Sequence, residues 1–261
     1  NNGGDFASWM GLCHGLSPAS YMVPTPNRAI RVLAADGKTI IEFLPDDIKA
    51  LAATWWGNVK FDNRLTGKRY TAIDAASFFL IFGNQIGRYR QNMAVEPFAD
   101  AEIWNYGAVG YKAAYYNVVT NKQGTYSVSR IPKSSAGNFS NLGSSQAVYV
   151  VGVKFTIIYA NTVNLKHSTS GQNMIEKTSD YSFALYLDIK ENIVGSVWTS
   201  RAKPSYVWGP DKLPEGPFDK FLPSFGGSIA TLKNITKYAA QSSAQYLPLR
   251  SIVYYLARQS S

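Results

Sequence analysis

Cys13, His14 and His167 are the chain's one thiol and two imidazoles, and any nucleophilic chemistry starts from them. Cys13 sits in Trp9-Met10-Gly11-Leu12-Cys13-His14-Gly15-Leu16-Ser17-Pro18-Ala19-Ser20, with small residues on both sides. Pro18-Ala19-Ser20 suits the first turn of a helix. A thiol at a helix N-terminus faces the positive end of the peptide dipoles, which favours the nucleophilic thiolate. The cysteine's own backbone N–H could then help hold an oxyanion. The other account of a lone cysteine is a small buried hydrophobe.

The bases are less well placed. Successive helical side chains point about 100° apart, so His14 is poorly set to pair with the neighbouring Cys13. A capping or packing role fits it better. His167 lies in the polar stretch Asn164-Leu165-Lys166-His167-Ser168-Thr169, the setting of a solvated surface histidine. Loops also carry catalytic groups, so His167 stays a candidate base. Asp100 and Glu102 could orient or replace a base, although exposed carboxylates on a strand edge are the ordinary account. One cysteine excludes intramolecular disulfides and a cysteine-rich zinc site, and two histidines add little metal-ligating capacity. No glycine-rich phosphate loop is present, so no nucleotide, flavin or metal cofactor is expected.

The elements that position these groups change character along the chain. Pro45-Asp46-Asp47 opens a helix with acids at its positive end. Ile48, Leu51, Ala52 and Trp55 then share one face, and Gly57-Asn58 ends it. Residues 60–74 form a polar loop, and the apolar run Ala75 to Phe82 fits helix or strand equally. Short strands are expected around Ile103-Trp104 and from Tyr111 to Val119, broken by Gly107 and Gly110.

Beyond residue 122 the period becomes two. Val151, Val153, Phe155, Ile157 and Tyr159 alternate with smaller or polar residues, as do Tyr181, Phe183, Leu185, Leu187 and Ile189. Lys190-Glu191-Asn192 makes a hairpin loop into a strand from Ile193 to Thr199. Residues 132–146 and 202–226 are surface loops, and two amphipathic helices flank Pro248 between Ser228 and Gln259. The pattern is α+β, an N-terminal helical layer against an antiparallel sheet.

Composition narrows the class. The chain has 261 residues, 17 Tyr, 13 Phe and 6 Trp, which describes a folded protein rich in β-structure. No run approaches the roughly 20 apolar residues of a membrane-spanning helix. Net charge is +9, and residues 201–261 hold eight Lys/Arg against three acids. These charges are scattered without a run of five or six, so a solvated basic face is expected and nucleic acid is a disfavoured partner. The start Asn-Asn-Gly-Gly, without Met, fits a removed or omitted upstream signal. Asn138-Phe139-Ser140 and Asn234-Ile235-Thr236 are glycosylation sequons in a host that modifies secreted proteins.

A family resemblance joins these fragments. GLCHGLSPAS at 11–20, DIKAL at 47–51, NQIGR at 84–88, EIWN at 102–105 and VGSVWTSRAKPSYVWGP at 194–210 resemble, in the same order, the transglutaminase-elicitor family. That family includes oomycete cell-wall transglutaminases and secreted bacterial relatives. Its pattern runs CHGW-x-PAS, a Phe-His pair, Asn-x-Ile-Gly, Val-Trp-Asn, and a late Gly-x-Trp with Pro-x-x-Trp. The likeness spans roughly residues 9–209.

The resemblance implies a papain-like, transglutaminase-like cysteine core, roughly residues 1–125, and an antiparallel β-rich part with C-terminal helices, 126–261. It implies a protein-glutamine γ-glutamyltransferase, secreted or in the cell envelope. Its partners would be a protein glutamine donor and a lysine or other amine acceptor. Cys13 matches the nucleophile. Asn105 matches the Asn of Trp-Asn, which would orient the imidazole of a Cys-His-Asn triad. Trp9 and Trp104 could wall the thiol pocket, and Trp208 could cover it. The Phe-His pair falls on Phe78-Phe79, so Phe79 stands where the base is expected, and phenylalanine moves no proton. Two alternatives follow: a catalytically impaired relative acting as a secreted binding or effector protein, and a hydrolase or deamidase in which water replaces the amine.

Overall fold

A computed structural model describes residues 12–34, 36–58, 63–68, 71–161, 169, 175–210 and 247–261. Chain contacts divide the protein into two compact units: residues 1–64, 161–175 and 210–261 form the first, and residues 65–160 and 176–209 the second. The expected lobe edge near residue 125 lies inside the second unit.

The first unit is built from helix α1 (Cys13–Met22), the antiparallel hairpin β1 (Ile30–Leu33) and β2 (Ile40–Phe43), and helix α2 (Pro45–Asn58). A C-terminal helix, which we label α5 (Leu247–Ser260), completes it. Asp47 Oδ2 accepts the Leu44 N–H at 2.9 Å and ties down the chain entering α2. Of the stripe read from sequence, Ile48, Ala52 and Trp55 are buried together with Trp56, Ala19, Val253, Leu256 and Ala257, and Leu51 packs against them partly buried. The Trp55 ring meets Tyr254 edge-on at 6.0 Å, and the Tyr254 hydroxyl donates to the Met22 carbonyl at 2.8 Å. Pro248 is the second residue of α5, where a missing N–H costs nothing. The helix expected before it lies outside the described residues.

The second unit is an antiparallel sheet with one helix on its face. Among the described residues nine strands join one sheet, and the main path runs β10-β9-β8-β5-β4-β11-β3. These are β3 (Asn63–Gly67), β4 (Met93–Glu96), β5 (Tyr106–Tyr116), β8 (Tyr149–Asn161), β9 (Ile175–Leu187), β10 (Ile193–Trp198) and β11 (Tyr206–Pro210). The two-residue strands β6 (Gln123–Gly124) and β7 (Ile131–Pro132) pair with β5 and β8. One short helix, α4 (Tyr126–Ser129), links those two.

Alternation decides the core. Val151, Val153, Phe155, Ile157 and Tyr159 of β8 point the same way as Tyr181, Phe183, Leu185 and Leu187 of β9, and all are buried in one cluster. The ambiguous run 75–82 resolves as a helix, α3 (Ala75–Phe82), laid on this face. Its Phe78 and Phe82 rings meet Phe155 at 5.7 and 5.6 Å. Each buried aromatic of this kind contributes about 2–3 kcal/mol through its apolar area. Asp74 caps the helix by accepting the Ser77 N–H at 2.8 Å, and its other oxygen accepts the Ser196 hydroxyl at 2.6 Å. NQIGR continues α3 as a π-helical turn, Gly83–Arg88.

Four local expectations change. Helix α1 begins at Cys13, with Pro18 inside it and not in its first turn; the buried face Gly15, Ser17, Pro18 and Ala19 outweighs the one hydrogen bond that proline removes. Gly107 and Gly110 do not break β5: Gly107 pairs with Ala94, and the register shifts between Ala108 and Gly110, so the glycine absorbs a bulge. Ile103-Trp104 is loop and not strand. Finally, part of 60–74 and part of 202–226 form β3 and β11, because Tyr206-Val207-Trp208 pairs with Glu96-Val95-Ala94.

Candidate functional site

Cys13 is the first residue of α1, with Leu12 as its N-cap. The thiol is half-buried. What holds this end of the helix is close backbone packing against α2. A Cβ on Gly15 would stand 2.2 Å from the Ala53 carbonyl oxygen and 2.6 Å from the Gly57 nitrogen. Only glycine lets the two helices approach so far. The His14 ring Nε2 donates to the Gly57 carbonyl at 3.2 Å, so His14 fastens α1 to the last turn of α2. A carbonyl only accepts, which fixes the proton on Nε2. That is the packing role the sequence favoured for His14.

Asn105, Trp104, Trp208 and Phe79 belong to the second unit. Period two places Tyr206 and Trp208 of β11 on the same face as Glu96 and Ala94 of β4, while Val207 and Val95 turn the other way into the core. From that face Trp208 Nε1 donates to Asn105 Oδ1 at 2.7 Å, and the Tyr206 hydroxyl donates to the same oxygen at 3.2 Å. The structure therefore brings Asn105 and Trp208 together. Two donors thus converge on the amide oxygen to which the expected triad would bring an imidazole N–H.

Trp104 stacks at 6.3 Å on Tyr106, and its Nε1 donates to Glu102 Oε2 at 3.0 Å. Asp100 accepts the Glu102 N–H at 3.1 Å. Both acids thus shape the loop between β4 and β5.

Phe79 is an aromatic packing residue. Its ring meets Phe155 at 5.8 Å and Phe183 at 6.0 Å, both edge-on. Trp9 and His167 lie outside the described residues. Among the described residues no three His, Cys, Asp or Glu side chains group so as to hold a metal ion.

Glu96 is the residue that the sequence did not single out. It is 1% exposed. Oε2 accepts the Trp104 N–H, and Oε1 accepts the Phe98 N–H at 3.4 Å. Burial pushes its carboxyl from the ordinary 4.5 up to about 8; the two N–H groups offset part of this and negative Asp100 adds to it. The signal was present in Met93-Ala94-Val95-Glu96-Pro97, where one acid closes an apolar run.

A mixed helix-and-strand protein, with an antiparallel sheet whose β4–β5 loop and β11 meet at Asn105, is the class these features define. The chain belongs to the transglutaminase elicitor family, whose model matches residues 64–218. That match begins beyond Cys13. A solved structure, the GP42 transglutaminase from Phytophthora sojae, is similar in fold with a TM-score of 0.63 and 19% sequence identity. The similarity covers 80% of this chain and 58% of that one, so this chain spans under two thirds of the solved protein's length. A search of curated proteins finds no match.

Proposed function

We propose that this chain is a transglutaminase-like protein in which Cys13 carries acyl transfer from a protein glutamine to an amine, on a core that is papain-like in its use of a helix-borne thiol. The Cys13 thiolate attacks the glutamine carboxamide carbon, an S–C bond forms and the C–N bond breaks. The nitrogen takes up the proton that the thiol had released and leaves as ammonia. An amine then attacks the thioester, an isopeptide bond forms and the thiol is regenerated. The carrying observation is membership of the transglutaminase elicitor family, and Cys13 as the first residue of α1 supports it. Export to the medium or cell envelope, with a protein partner, is part of this reading and rests on the family resemblance. Among the described residues no helix is long and apolar enough to cross a membrane.

A second reading has its own observation. Phe79, at the expected base position, is packed against Phe155 and Phe183, and Asn105 Oδ1 is already doubly engaged. General-base help is worth about 10²–10⁴ in rate. A protein without it would keep the scaffold and act by binding. His167 is the remaining imidazole that could supply the base.

Incorporation of a labelled primary amine into a glutamine-bearing protein separates the readings. Activity lost at least about a hundredfold in Cys13→Ala and reduced in His167→Ala supports the first. Ammonia release without amine incorporation indicates the hydrolase or deamidase. No turnover in either assay, with Cys13 still alkylated by iodoacetamide, leaves the binding protein.

A further inference from the structure

The β4–β5 loop, residues 97–105, leaves the sheet just after Glu96 and returns at Trp104-Asn105. Glu96 touches both ends of it. Its Oε1 accepts the N–H of Phe98 and its Oε2 that of Trp104, while its own carbonyl accepts the Ser205 N–H at 3.0 Å. Two outer ties complete the fastening: Ala99 N–H donates to the Lys203 carbonyl at 3.0 Å, and the Tyr181 hydroxyl donates to the Pro97 carbonyl at 2.8 Å. The side chain at the centre of this network is a carboxyl with almost no solvent contact.

We propose that Glu96 is the positioning residue of Trp104-Asn105, a proton-controlled latch that holds the 97–105 loop closed while its carboxyl is protonated and lets the loop open when the proton leaves. The assignment of Trp104-Asn105 to function rests on the reading above; the latch itself rests on the geometry. The Phe98 and Trp104 N–H groups bind the ionised carboxyl more strongly than the neutral one, but the cost of a buried charge exceeds that gain. Once ionised, the group is a buried charge. Nearest to it in sign is Asp100, which repels it. Among the described residues, the other titratable or charged groups on the elements packed about it are Glu102 in the loop, Tyr181 on β9, Tyr106 on β5, Tyr159 on β8, Tyr206 opposite it on β11, and Lys203 on the approach to β11. None of these supplies a cation that shifts Glu96. Opening the loop hydrates the carboxylate, so ionisation and opening are linked.

The linkage has a definite sign. A carboxyl whose proton is held more tightly in the closed form favours closure at low pH and loses that preference as pH rises. Between the ordinary 4.5 and about 8, the opening equilibrium should grow about tenfold per pH unit.

Hydrogen exchange at the Phe98 and Trp104 amides of the full chain reads this directly, once corrected for the base-catalysed intrinsic rate. The expected result is protection that falls about tenfold per unit from pH 5 to 8 in the wild type, and a flat profile in Glu96→Gln. In Asp100→Asn the slope persists, with its upper end moved to lower pH. A flat wild-type profile, or the same slope in Glu96→Gln, overturns the latch. Should Glu96→Gln not fold, the carbon-13 titration of the Glu96 carboxyl in the wild type decides, and a midpoint near 4.5 overturns it. Amine incorporation across the same pH range keeps the two claims apart. A protection slope with no activity at any pH removes the transglutaminase reading and leaves the latch. Activity without the slope does the reverse.

Discussion

Phe79, which the proposed reading sets at the position of the base, is a packing residue in this fold. Its ring lies edge-on to Phe155 and Phe183, in the same aromatic layer as Phe78 and Phe82. Placing an imidazole there by Phe79→His exchanges two aromatic contacts for a smaller polar ring in a partly buried aromatic layer. The expected outcome in urea unfolding is a loss of about 1–3 kcal/mol, without a gain in amine incorporation. A gain in rate would place residue 79 at the reacting atoms and refute its account as packing. Asn105 poses the converse case. The proposed reading gives it the task of orienting an imidazole, whereas its oxygen serves Tyr206 and Trp208. Sequence shows which residue is present, and only the fold shows which of its lone pairs are taken.

At the scale of elements, α1 depends on α2 for its position, and Gly15 sets the distance between them. A methyl group there meets the Ala53 carbonyl oxygen and the Gly57 backbone, neither of which can turn aside as a flexible side chain could. Gly15→Ala should cost about 1–3 kcal/mol in chemical unfolding and change the alkylation rate of Cys13, because the helix end that carries the thiol must shift. Unchanged stability and unchanged alkylation would show that α1 is not seated by this contact. Helix α3 depends on a cap. Asp74→Ala removes the acceptor for Ser77 N–H and for the Ser196 hydroxyl, with an expected cost of about 1 kcal/mol. A cost near zero by the same measurement would mean that packing alone fixes the helix start. The sequence made α2 legible because its stripe repeats at helical spacing and its acids mark the start. It left α3 ambiguous because a short, wholly apolar run has no polar face to set a period.

For the molecule as a whole, two carboxylates move stability in opposite directions with pH. Burial raises Asp74, but hydrogen bonds from Ser196, Ser77 and Ala76 outweigh it and hold its carboxyl below the ordinary range. Its contribution is present above the unfolded value and is lost as pH falls through the folded one. Glu96 is raised to about 8 by burial, so its contribution is fully present below the unfolded value near 4.5 and declines as pH rises towards 8. Stability should therefore peak in mildly acidic solution, at roughly pH 4–5, and decline on the alkaline side. Thermal unfolding midpoints followed from pH 3 to 9 check this. A wild-type midpoint that does not fall between pH 5 and 8, or falls equally in Glu96→Gln, removes Glu96 as the cause.

The amino-acid sequence alone determined what depends on neighbours in the chain: the period-two strands β8 and β9, the hairpin into β10, the acid-capped α2, the ordered fragments that mark the transglutaminase elicitor family, and the absence of an imidazole at residue 79. Tertiary structure decided what depends on residues far apart in the chain. Pairing with β4 turned Tyr206-Val207-Trp208 from an apparent loop into a strand, and the sheet face turned 75–82 into a helix. Burial between strands made Glu96, an unremarkable acid before a proline, the most perturbed carboxyl described. Hydrogen-bond occupancy, burial and their effect on protonation arise from three-dimensional neighbours, and no spacing along the chain encodes them.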